Sequence, residues 1–65
     1  MGSAYEDLRH RLVGIAEEIA DLALDRLRAE VEGDEDAKGD ERRLTRARRA
    51  VEKAAYLLSD GERGF

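Results

Sequence analysis

The chain has 65 residues, 43% of them charged and 42% hydrophobic, with no cysteine, no proline, one histidine and a formal net charge of −4. That length allows one small domain, below the size at which a single core holds comfortably, and the lack of cysteine beside a lone His10 excludes a disulfide framework and a Cys/His structural metal site. Oligomerisation is the staple that remains.

No run of about 18 apolar residues spans a membrane, and the N-terminal MGSAYEDL has neither the basic region nor the apolar block of a signal peptide. A cytoplasmic protein with no membrane partner is expected. The charge content and the 5% of aromatics resemble a disordered chain, but the apolar residues are periodic rather than scattered.

Dense punctuation occurs only at EGDEDAKGDE, Glu32 to Glu41, between two periodic segments. The expected domain covers residues 3–60: helix 1 over about 3–32, an acidic loop over about 33–39 and helix 2 over about 40–59, followed by a frayed tail at 61–65. Ser3, with Glu6 three residues on, forms a capping box at the start of helix 1. Gly33 suits the position just past its end, where a left-handed backbone is common. Asp34, Asp36 and Asp40 are each competent N-caps for helix 2, which leaves its start open over several residues, and Asp60-Gly61 closes it after Leu58.

The apolar positions of helix 1 are Tyr5, Leu8, Leu12, Ile15, Ile19, Leu22, Ala23, Leu27 and Val31, joined by Val13, Ala16, Ala20 and Leu24. At about 100° per residue they cover an arc of about 200°, twice the width that one neighbouring helix needs. Helix 2 has a narrower seam of Leu44, Ala47, Val51, Ala54 and Leu58 in 3-4-3-4 spacing, edged by Ala50, Ala55 and Leu57. A hairpin of about 55 ordered residues loses about 1.5 kcal/mol per residue in conformational entropy, more than one such seam offsets. The expected fold is therefore all-α, a two-helix antiparallel hairpin that homodimerises into a four-helix bundle. Its dimer and core seam is Leu8, Leu12, Ile15, Ile19, Leu22, Leu27, Leu44, Val51 and Leu58. In length, hairpin plan and short charged tail the chain resembles the Rop family of small dimeric RNA-binding bundles, a likeness of architecture that transfers no residue.

Three patterns suggest chemistry. The acidic loop has the outline of an EF-hand: with Asp34 as first ligand, Asp36 and Gly39 fall at positions three and six, but Lys38 occupies the fifth and Thr45 the twelfth, where a bidentate glutamate is required. A solvated loop capping helix 2 is the better reading. His10 follows Glu6 by one turn and Asp7 by three residues, and carboxylate plus histidine at helical spacing is how di-metal bundles gather ligands, but Glu6 and His10 lie on the polar side of helix 1. Arg9, Arg26 and Glu30 intrude on the apolar arc. The spacing L-R-x-x-L-x-x-I-x-x-x-I from Leu8 to Ile19, followed by Arg26, is similar to the first helix of the helical chorismate mutases, which grip a dianion with two arginines. That resemblance implies an anion site on Arg9 and Arg26, although Val13 and Ala16 stand where that family has aspartates. The alternative is that both stems lie along apolar surface with their charge at the rim, Arg26 pairing with Glu30 one turn on. There is no Ser/His/Asp or Cys/His set and no glycine-rich phosphate loop, so a protein that is not an enzyme, with no cofactor and no metal, is expected.

The stretch RRLTRARRAVEK, Arg42 to Lys53, sets six basic residues against one acidic residue. Arg43 and Arg48 flank the seam and are expected to neutralise Asp21, Asp25, Glu30 and Glu32 across the hairpin. Arg42, Arg46, Arg49 and Lys53 form a 4-3-4 stripe on the far side of helix 2, with Tyr56 one turn beyond. That row is either a solvated face or a contact surface; a basic row with a stacking aromatic is the minimal equipment for RNA, while Tyr56 and Leu57 suit a protein partner as apolar anchors. The expected function is a small interaction or regulatory module working through protein–protein contacts as a homodimer, with nucleic-acid binding through the Arg42, Arg46, Arg49 and Lys53 stripe as the alternative.

Overall fold

The two periodic segments form two long helices. A computed structural model describes residues 2–61, with the side chains of 4–59. Helix α1 spans Gly2–Val31 and helix α2 spans Ala37–Tyr56; a wider π-helical turn, Leu57–Gly61, follows. The two helices pack against each other as a hairpin, and no strand is present among the described residues. Helix α1 already includes Ser3, so its backbone precedes the expected cap; the Ser3 side chain, and with it the capping box, lies outside the described residues, as does the tail beyond Gly61.

The turn between the helices is built from hydrogen bonds that the sequence sets up locally. Gly33 adopts φ +109°. Its N–H donates to the Glu30 carbonyl at 3.0 Å, and the Asp34 N–H reaches back to the Ala29 carbonyl at 3.0 Å, the paired bonds of a Schellman ending. Asp34 then turns the chain: its Oδ1 accepts from the Asp36 N–H at 3.0 Å and its carbonyl accepts from the Ala37 N–H at 3.2 Å. Asp36, directly before α2, already has helical angles (φ −77°, ψ −20°) and makes no side-chain cap bond. The first turn of α2 thus forms three residues ahead of Asp40, because Asp34 supplies the acceptors that the orphan N–H groups require.

Between the helices the contact is made by small side chains. Ala16, Ala37 and Ala55 are buried, and no large side chain is fully buried among the described residues. Leu12, Ile19, Ala20 and Ala23 of α1 and Leu44, Arg48, Val51, Ala54 and Leu58 of α2 are half-buried around them. The α2 contact is rotated from its apolar seam toward Ala55 and Arg48, which leaves Ala47 and Ala50 exposed. The reason is steric: Ala37 and Ala55 lie on one face of α2, five turns apart, and meeting the alanine row of α1 there lets the axes approach most closely. The hairpin measures 49 × 21 × 11 Å between Cα extremes, so it is a single layer of helices, and globular domains are built from two or more.

Two glycine substitutions with opposite signs check this account. Gly33→Ala places a Cβ on a left-handed backbone with free space around it, and it is expected to lower unfolding free energy by about 1–2 kcal/mol. Gly14→Ala meets no atom within 4 Å inside α1 and is expected to raise it by about 0.5–1 kcal/mol. Urea titration followed by far-UV circular dichroism measures both.

Candidate functional site

The hairpin presents two broad faces, one on each side of the plane through its helices. On the first, α1 contributes Leu8, Ile15 and Leu22, spaced seven residues apart and 45%, 44% and 50% exposed, with Leu12 and Ile19 half-buried behind them. Helix α2 contributes Val51, Ala54 and Leu58, half-buried, and exposed Ala47 and Ala50. The face is therefore a ridge of large side chains beside a shelf of small ones. Its charges gather at the loop end, where Leu22, Arg26, Asp40, Arg43 and Leu44 line a groove of about 190 Å³.

The second face has an alanine floor but charged walls. Val13, Ala16, Glu17, Ala20, Arg48, Glu52 and Ala55 line a groove of about 290 Å³. Leu24, Leu27, Glu41 and Thr45 extend it toward the loop. Arg48 borders both stretches, and Thr45 donates its hydroxyl to Glu41 Oε2 at 2.9 Å. Sequence reasoning missed the role of Arg48 because a charged residue does not count toward an apolar seam. Its seven-residue spacing from Ala55 was the available signal that it shares the contact face.

Arg26 is held differently from the expected pairing with Glu30. Its Nη2 donates to Asp34 Oδ2 at 2.9 Å, and its Nε lies 3.6 Å from Asp40 Oδ2, buried and without a hydrogen bond. The helix positions its own turn through this side chain: one arginine from α1 ties together the residue that caps α2 and a carboxylate in its first turn. Arg9 is half-buried near the other end of the hairpin, 17 residues away in sequence and hence about 25 Å along the axis. The two arginines of one chain do not converge on a small anion.

On the outer side of α2, Arg42, Arg46, Arg49 and Lys53 are exposed, as are Tyr56 and Leu57 at 50% and 46%. Arg42, Arg46 and Arg49 line a shallow groove of about 260 Å³ with Glu41 and Thr45. The ion pairs among the described residues are those of Arg26 alone, so the expected pairing of Arg43 and Arg48 with Asp21, Asp25, Glu30 and Glu32 does not form. The physical reason is placement: Arg43 points off the first face and Arg48 into the second, away from the carboxylates on the back of α1. His10 is exposed, and no three His, Cys, Asp or Glu side chains among the described residues gather closely enough to hold a metal ion. No described helix is long and apolar enough to cross a membrane.

Compared with models of protein families, with curated proteins and with solved structures, the chain matches none.

The Arg26 clamp makes a graded prediction. Asp34→Ala removes a backbone cap and an ion pair together and is expected to cost about 1–2 kcal/mol. Asp34→Asn, which keeps the acceptor, is expected to cost less. Asp40→Ala loses a long, half-exposed ion pair and a carboxylate in the first turn of α2, and is expected to cost about 0.5–1 kcal/mol. Chemical denaturation of the three variants gives the order, and a cost of Asp40→Ala equal to that of Asp34→Ala would contradict it.

Proposed function

We propose that the protein is a small, non-enzymatic helical interaction module that works through protein–protein contacts as a homodimer. The observation that carries this reading is the exposed ridge of Leu8, Ile15 and Leu22 on a hairpin whose buried positions, among the described residues, are alanines. The accessible surface supports it. A compact monomer of 7.3 kDa exposes about 4,200 Å², whereas the hairpin exposes 5220 Å². An excess of about 1,000 Å² per chain, covered in a pair, lies in the range of stable interfaces. Tyr56 and Leu57, exposed beyond the hairpin contact, serve a further protein partner as apolar anchors.

A second reading, nucleic-acid binding along the outer side of α2, is favoured by one observation: Arg42, Arg46, Arg49 and Lys53 are exposed and outside every ion pair among the described residues. The chain's net charge of −4 opposes it, since long-range attraction of a polyanion would be weak.

Light scattering coupled to size exclusion, at low and moderate salt, is expected to give a dimer mass at both, because apolar burial is insensitive to screening. Ile15→Glu, which sets a charge in the middle of the ridge, is expected to leave a monomer of reduced helicity. A wild-type monomer with full helicity at micromolar concentration would overturn the proposal. For the second reading, replacing Arg42, Arg46, Arg49 and Lys53 by glutamine is expected to abolish any salt-sensitive retention of single-stranded RNA while the dimer mass persists; undiminished retention would remove the stripe from the account.

A further inference from the structure

We infer that the second copy of the chain seats on the first face with both interhelical loops at the same end, α1 of each copy lying antiparallel on α2 of the other. The inference rests on the homodimer reading and adds which face, which orientation and which residues meet.

The choice of face follows from the cost of burying charge. The second face holds Glu17, Glu41, Arg48 and Glu52 in or beside its floor, and desolvating them against another copy costs several kcal/mol per ion unless each finds a partner. Between Leu8 and Leu22 and between Ala47 and Leu58 the first face carries one charge, the exposed Arg11 at its outer edge. Stable interfaces exclude charge from their centre in this way.

The orientation follows from size and charge. Within the hairpin Leu22 shares a groove with Leu44, and Arg26 reaches Asp40, so a residue of α1 lies level with a residue of α2 whose number sums with its own to about 66. Toward the open end Ala16 shares a groove with Ala55, a slightly larger sum. A two-fold axis parallel to the helices keeps these levels. It sets Leu22 over Ala47 of the second copy and Ile15 over Ala54 of the second copy, large on small at both places and at the same seven-residue interval. It also sets Asp25, on the back edge of α1, beside Arg43 of the second copy, opposite charges that find no partner inside one hairpin. The other two-fold arrangement, loops at opposite ends, stacks α1 on α1 and α2 on α2. The ridge then meets itself, and the alanine shelf faces an alanine shelf across a gap. Packing at interior density and complementary charge both select the first arrangement.

The absence of cysteine makes one spin label per chain straightforward. With Lys38→Cys, an exposed site in the first turn of α2, pulsed electron paramagnetic resonance on the intact dimer is expected to give a label separation of about 20–30 Å, since the two loops share an end and the two α2 helices lie on a diagonal of the bundle, about 14 Å apart where neighbouring axes are about 10 Å apart. A separation near 45 Å, about 30 residues of helix rise, would overturn the orientation while leaving the dimer standing. A monomer by light scattering would remove the dimer reading itself and this inference with it. As an independent check, Asp25→Lys is expected to weaken dimerisation about two- to five-fold, and adding Arg43→Asp in the same chain to restore it; a double variant weaker than the single one would exclude the pairing of these two edges.

Discussion

The positions fully buried between α1 and α2, among the described residues, are alanines ringed by half-buried larger side chains, and the rest of the molecule follows from that. Ala16, Ala37 and Ala55 let two helices approach closely, but each removes little apolar surface from water. Burial is worth about 25 cal/mol per Å², and the large side chains that would contribute most of it, Leu8, Ile15, Leu22, Leu24 and Leu27, stand at the margins, 44–50% exposed. A hairpin joined in this way leaves its large apolar side chains at its margins, and in the proposed pair what completes the core would also cover that face.

The interhelical turn complements that weak seam with local structure. Gly33 ends α1 by taking a positive φ, Asp34 caps α2 through side chain and backbone, and Arg26 ties the cap to the body of α1. These interactions are short in sequence, except that Arg26 must reach across the turn. Contacts this local favour quick folding, because little loop-closure entropy opposes them. An arginine placed in an apolar arc therefore acts here as a structural group, not as half of an anion clamp.

Charge is sorted by helix rather than by local pairing. The back of α1 holds Glu18, Asp21 and Asp25 and the outer side of α2 holds Arg42, Arg46, Arg49 and Lys53, all exposed. The molecule is acidic in total and dipolar in layout. Such a layout contributes little to the stability of one hairpin, since exposed pairs are worth at most about 1 kcal/mol even when they form. In the proposed pair its effect is on how the second copy aligns, since opposite edges attract and like edges repel.

Much of this was legible in the residues themselves. The two apolar periods, the acidic punctuation between them and Gly33 are local features, and local features determine where a helix runs and stops; the width of the arc on α1 likewise says that one neighbour cannot cover it. The rotation of α2 about its own axis was not legible. An apolar count centres the seam on Ala47 and Ala54, whereas close approach of the backbones centres it on Ala37, Arg48 and Ala55, and only the packed pair shows which alanines meet. The partners of Arg26 were hidden for a similar reason, because Asp34 and Asp40 are eight and fourteen residues away and come within reach only once the chain has turned. The sequence by itself determined the elements and the amount of apolar surface to be covered, both sums over neighbouring residues; the tertiary structure decided which faces are left open, since that depends on how closely two helices can approach.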